Sequence, residues 1–170
     1  MINSTLEAPT ATQTLNHDVS GLADRLLMLT LVINLVMPGF LFLLVYILRV
    51  TEIMPPTALV SAETLQILFY ALLCVAVSEV VVAFVIKKTF FSPEKVRPAL
   101  ADSAVFTKLV TGGSITLAAL GAASMIYGVM LYILGLGVPR VALFALIALV
   151  HFRLFRPTAD FLRALITQAS

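Results

Sequence analysis

Four long apolar runs in a chain of 170 residues constrain the fold more than any other feature. They cover residues 26–48, 64–86, 109–136 and 141–156. A helix of about 20 residues crosses the hydrocarbon core of a bilayer, which is about 30 Å thick. The first three runs have this length, and the shorter fourth run extends through Arg156. The sequence therefore predicts an all-α membrane protein with four transmembrane helices.

The composition excludes a water-soluble globule. Hydrophobic residues make up 61% of the chain, charged residues 12%, and the mean hydropathy is +1.07. Soluble domains carry about 25% charged residues. We assign residues 21–156 to one four-helix bundle, and expect the Ser- and Thr-rich residues 1–20 to form a flexible tail. No cleavage pattern follows a short apolar core, so the first run is interpreted as a permanent helix.

Proline and glycine divide the bundle into two antiparallel hairpins. Pro55 and Pro56 predict a compact turn between the first two helices, and residues 136–139 predict a tighter one between the last two. A polar loop joins the hairpins, and Pro38 with Gly39 predicts a kink in the first helix. Residues 157–170 are expected to form either a short interfacial helix or a frayed extension.

Basic residues predict the orientation in a bacterial cytoplasmic membrane, because loops that stay in the cytoplasm retain Lys and Arg. If both termini are cytoplasmic, nine of the eleven basic residues lie on that side. Only Arg49 and Arg140 then lie on the other side. Four of the nine follow the second apolar run beside two phenylalanines, and this set is expected to contact anionic lipid headgroups: Lys87, Lys88, Lys95 and Arg97.

The third apolar run is rich in small residues, which let transmembrane helices approach closely. Gly121, Gly128 and Gly135 repeat every seven residues on nearly one helical face, and Ser124 lies beside them. We therefore predict that the third helix is the central packing element. Its partners are expected to be the other helices, a second copy, or other membrane subunits.

Residues 119–131, Ala-Leu-Gly-Ala-Ala-Ser-Met-Ile-Tyr-Gly-Val-Met-Leu, resemble the carboxylate-bearing helix of rotary ATPase proteolipid c subunits. With the last helix and Arg156-Pro157, the segment resembles small uncharacterised four-helix bacterial membrane proteins. The resemblance covers roughly the last 45 residues. It implies ion binding at a helix carboxylate, but the matching position is Ala122 or a neighbour and holds no acid.

Glu79 is the acidic residue deepest in an apolar run, about 10 Å inside the end of the second helix. An intramembrane carboxylate costs a few kcal/mol, which makes Glu79 the candidate for ion or proton handling. A structural role within the bundle is the alternative. Counting depth along the other helices places Asn34, Ser114 and His151 in the same third of the membrane, so a polar layer of these four residues is predicted.

The sequence contains no recognisable catalytic set, paired cysteine motif or nucleic-acid motif, so we expect no enzyme activity, metal or cofactor. Cys74 is the single cysteine and is interpreted as a small apolar residue. The leading hypothesis is a noncatalytic membrane subunit. A proteolipid-like protein that handles protons or ions through Glu79 is the second, and an electron-transfer anchor that holds haem or quinone near His151 is the third.

Overall fold

The computed structural model describes residues 11–53 and 59–169, with side chains described from Val19 onward. All regular secondary structure in these ranges is helical. The chain forms α1 (Ala11–Leu31), a π-helical turn (Val32–Val36), α2 (Met37–Val50), α3 (Ala62–Phe90), α4 (Pro93–Ala99), α5 (Ser103–Leu134), α6 (Val138–Phe155) and α7 (Ala159–Ala169).

Four helical segments are long and apolar enough to cross a membrane, which confirms the predicted all-α fold class. They are Val19–Val50, Ala62–Phe90, Ser103–Leu134 and Val138–Phe155. The helices exceed the predicted apolar runs because polar caps lie beyond the runs. Ser61 Oγ accepts from the Thr64 N–H at 3.2 Å, and Asp102 Oδ1 accepts from the Ala104 N–H at 2.8 Å.

Two segments differ from the sequence expectation. The helix begins at Ala11, so residues 11–20 are helical although we assigned them to the flexible tail. Residues 1–10 of that tail, and the Pro55–Pro56 turn, lie outside the described residues. The loop that joins the two halves contains α4, which begins with Pro93 after Ser92. Proline is common in the first turn of a helix, because a backbone N–H at that position would have no partner within the helix.

α5 is the centre of the bundle, as its small residues predicted. It contacts α1, the π turn, α2, α3, α4 and α6. In the most apolar 18-residue stretch of α5, 50% is buried inside the protein. In the equivalent stretch of each of the first two spans, 17% is buried. The chain directions follow from single contacts. The Leu59 N–H donates to Leu134 O at 3.2 Å, while Phe91 lies beside Gly113, so α3 runs antiparallel to α5.

Two hydrophobic clusters fill the interior, one at each end of the bundle. The first cluster lies where α4 and α7 pack and includes Leu26, Val110 and Leu162. The second cluster lies at the opposite end and includes Val129 and Phe144. The buried polar residues belong to neither cluster.

α7 confirms the prediction of a helix after Pro157. The Phe161 N–H donates to Thr158 Oγ1 at 3.2 Å, which caps the helix. Leu162 and Leu165 are buried, because α7 packs against α1 and α4. The apolar face that was expected to lie in the membrane interface is therefore covered largely by the protein itself.

Candidate functional site

The polar residues predicted from depth counting meet at the π turn, with one exception. Asn34, Ser114 and His151 are all buried, and together with Thr30 they line one cavity of about 10 Å³. Glu79 is not among the residues that line it. The predicted four-residue layer is thus a three-residue cluster, to which the structure adds Thr30.

Pro38 explains why the first span is irregular at Asn34. A proline inside a helix has no N–H, and its ring crowds the carbonyl four residues earlier, which here belongs to Asn34. The helix widens into a π turn over Val32–Val36, closed by the Met37 N–H, which donates to Val32 O. Turns of this kind occur often at functional sites. The predicted disturbance near Pro38 therefore takes the form of a π turn that contains Asn34.

Gly121 makes the space in which Asn34 and His151 meet. A Cβ atom at this position would lie 2.5 Å from Asn34 Nδ2, 2.7 Å from Asn34 Oδ1 and 2.7 Å from His151 Cδ2. Real Cβ atoms essentially never make such short contacts. Gly121 is thus a packing residue, as predicted, but its neighbours are polar.

The hydrogen bonds of His151 define its tautomer. Nε2 lies 2.8 Å from Leu117 O, which can only accept, so Nε2 carries the proton in the neutral ring. Nδ1 is then an acceptor, and it is buried without a partner among the described residues. Asn34 Oδ1 is also a buried acceptor, and it too has no partner in the described part of the chain.

Glu79 is paired elsewhere, with a residue that the sequence analysis missed. The Tyr127 hydroxyl donates to Glu79 Oε1 at 2.6 Å, while Glu79 Oε2 is buried and no residue that the structure describes pairs with it. Phe91 lies beside Gly113, and α3 and α5 are antiparallel. Counting twelve residues back from Phe91 and twelve forward from Gly113 therefore brings Glu79 level with the turn of α5 that carries Tyr127.

The predicted packing residues separate into interior contacts and a helix cap. Gly128 lies against Val141 and Phe144 of α6, because a Cβ there would be 3.0 Å from Phe144 Cβ. Ser124 is fully buried, and its hydroxyl has no hydrogen-bond partner within residues 19–53 and 59–169. The assignment of Gly135 to this face was wrong. Gly135 ends α5 in a left-handed conformation with φ of 117°, which glycine adopts without a Cβ penalty.

The four basic residues that were predicted to contact lipid headgroups lie in different surroundings. Lys87 and Lys88 line a crevice of about 200 Å³ with Phe91, Phe161 and Gln168. Lys87 Nζ lies 4.8 Å from the centre of the Phe161 ring and donates to Leu154 O at 3.4 Å. Lys95 instead lies over Phe90, and Arg97 is exposed on α4.

No family model, curated protein or solved structure matches this chain. Among the described residues, no group of three or more His, Cys, Asp or Glu side chains could hold a metal ion. Small-molecule sites commonly measure about 300–1,000 Å³. The cavity of about 10 Å³ beside His151 is far smaller, so its geometry does not favour the haem or quinone hypothesis.

Proposed function

We propose that the protein is a noncatalytic integral subunit of the bacterial cytoplasmic membrane. In this proposal both termini are cytoplasmic, and the bundle associates laterally with a second copy or with a larger membrane complex. The observation that carries the proposal is the outward face of α5. Part of this face consists of small residues, of which Gly112 and Ala119 are exposed.

The first part of the outward face of α5 consists of Gly112, Thr116, Ala119 and Ala123, and the exposed Ile126 and Met130 continue the same face. The four small residues are spaced by four, three and four residues, which keeps them on one side of the helix. Gly112 and Ala119 are exposed, and no atom lies within 4 Å of the place where a Gly112 Cβ would be. The Thr116 hydroxyl donates to Gly112 O at 2.9 Å, so the face presents no unpaired donor to lipid.

This face suits a second helix better than it suits lipid alone. Lipid chains are as apolar as the helix, so association in a bilayer depends on close packing, which small residues permit. The opposite face of α5 already uses Gly113, Gly121 and Gly128 in this way inside the bundle. A helix with small residues on both sides can pack inward and outward at once.

Two matched substitutions test this interface. Ala119→Leu adds bulk to the outward face of α5, and Ala71→Leu makes the same change at an exposed position of α3. Overpacking at a close contact costs about 1–3 kcal/mol, so Ala119→Leu should weaken association by about 5-fold to 150-fold. Energy transfer between labelled copies in lipid nanodiscs measures self-association, and mass spectrometry of mild-detergent purifications measures other partners.

Equal association of the two variants would contradict the proposal, since the outward face of α5 would then be an ordinary lipid contact. Circular dichroism of both variants provides the folding control. Because position 119 is exposed, the substitution should leave the helix content unchanged.

Anionic lipid is the second proposed partner, and the crevice of Lys87 and Lys88 supports it. The crevice combines two ammonium groups, the Gln168 amide and two aromatic rings at the end of a membrane span. No acidic residue is among those that line it. Each basic residue near an anionic surface contributes about 1 kcal/mol. Lys88→Gln should lower the preference for phosphatidylglycerol over phosphatidylcholine more than Lys95→Gln does, as measured by native mass spectrometry.

Ion or proton handling by Glu79 is the alternative function, since Glu79 is a carboxylate within a membrane span. The unpaired Glu79 Oε2 favours it, because a buried carboxylate oxygen needs a further ligand. The test is carbodiimide labelling of Glu79 in the membrane, with Na⁺ present or absent. Labelling that Na⁺ blocks, together with normal assembly of Glu79→Ala, would favour this function over the subunit proposal.

A further inference from the structure

The cavity at the π turn is lined by hydrogen-bond acceptors that no described residue serves. The Thr30 hydroxyl uses its hydrogen on Leu26 O at 2.8 Å, so toward the cavity it can only accept. Asn34 Oδ1 and His151 Nδ1 also accept, and neither has a partner among the described residues, although Ser114 and Arg156 line the same cavity. Asn34 and His151 are each 1% exposed, so bulk solvent does not reach them.

Leaving such acceptors unpaired is costly in a membrane protein. A buried polar atom without a partner costs about 1–3 kcal/mol. The two orphaned atoms come from different spans, and both belong to residues that line the cavity and pack against Gly121, where a Cβ would meet the Asn34 amide and His151 Cδ2. The arrangement therefore fits a ligand that brings its own hydrogens.

The size and charge of the cavity narrow the choice of ligand. About 10 Å³ is close to the smallest volume that holds one water molecule. A cation is disfavoured, because Arg156, the one charged residue among those lining the cavity, has the same sign and no carboxylate lines the cavity to balance it. One neutral molecule with two donors satisfies these conditions.

We infer that the cavity is a site for a single water molecule, which donates to His151 Nδ1 and Asn34 Oδ1. The water joins the π turn of the first span to α6, and its oxygen can accept a third hydrogen bond. This site is independent of the proposed lateral association, because the outward face of α5 lies on the opposite side of that helix.

Nuclear magnetic resonance of ¹⁵N-histidine-labelled protein in lipid nanodiscs tests the inference. The His17→Gln variant leaves His151 as the only histidine. At neutral pH we expect one protonated ring nitrogen, Nε2, and magnetisation transfer between the ring and a bound water. Asn34→Leu removes one acceptor and should abolish that transfer. Ser124→Ala removes a buried hydroxyl that does not line the cavity, and should preserve it.

Three results would overturn the inference. Protonation of Nδ1 at neutral pH would mean that His151 donates directly to Asn34. A ring signal that shifts with Na⁺ but not with a larger cation would indicate a cation site. Absence of magnetisation transfer between water and the His151 ring, in the chain that keeps Asn34, would exclude the bound water. This measurement tests the inference even if Asn34→Leu fails to fold.

Discussion

Gly121 and Gly112 lie on the same helix and form a matched pair for testing the interior of the bundle. A Cβ at Gly121 would approach Asn34 Nδ2 to 2.5 Å, whereas a Cβ at Gly112 would meet nothing within 4 Å. Substituting alanine at both positions changes the helix propensity by the same amount, about 1 kcal/mol in favour of folding. The difference between the two variants therefore isolates the contact with Asn34 and His151.

The magnitude follows from the geometry. Contacts of 2.5–2.7 Å require the Asn34 amide or the His151 ring to move. Overpacking of this kind costs about 1–3 kcal/mol. Gly112→Ala should raise the free energy of unfolding by up to about 1 kcal/mol. The free energy of unfolding of Gly121→Ala should be about 1–3 kcal/mol lower than that of Gly112→Ala.

Unfolding by sodium dodecyl sulfate in mixed micelles measures both values, with circular dichroism as the signal because the chain has no tryptophan. Equal stabilisation by the two alanines would refute the reasoning. It would mean that α5 does not turn Gly121 toward the π turn.

Three further predictions concern other contacts. Tyr127→Phe should lower the free energy of unfolding by about 0.5–1.5 kcal/mol, and less in a Glu79→Ala background, which has no acceptor at that position. Additive effects in this double-mutant cycle would exclude the hydrogen bond. Gly135→Ala should cost about 1–2 kcal/mol because of its φ of 117°, whereas Gly137→Ala, at φ of −71°, should cost little in the same assay. In a Cys74→Ala background, Lys95→Cys and Gln168→Cys should react with an impermeant thiol reagent only after the cells are opened, whereas Thr57→Cys should react from outside. Reaction of Lys95→Cys in intact cells would show that the orientation is the opposite of the one proposed.

The spans could be predicted from the sequence because they depend on composition along one dimension. Backbone groups in lipid must be paired within their own segment, so an apolar run of sufficient length implies a helix. Depth along a helix is also one-dimensional, since each residue adds about 1.5 Å. This is why counting placed Asn34, Ser114 and His151 at one level before any contact was known.

Rotation about the helix axes was decided by the tertiary structure alone. Glu79 shares the predicted depth but lies on a side of α3 that faces Tyr127. The contact of Phe91 with Gly113 brings Glu79 level with the turn of α5 that carries Tyr127. Sequence spacing does not contain this pairing of helices.

Gly135 shows the same limit at a helix end. Its seven-residue spacing from Gly128 predicts a shared face only if the helix continues, and α5 ends at Leu134. The sequence by itself determined which segments are helical and how deep each polar residue lies, because both depend on local composition and a constant rise. Which residues meet was decided by the packing of α5 against its neighbours, because contacts between helices depend on rotations that no single segment encodes.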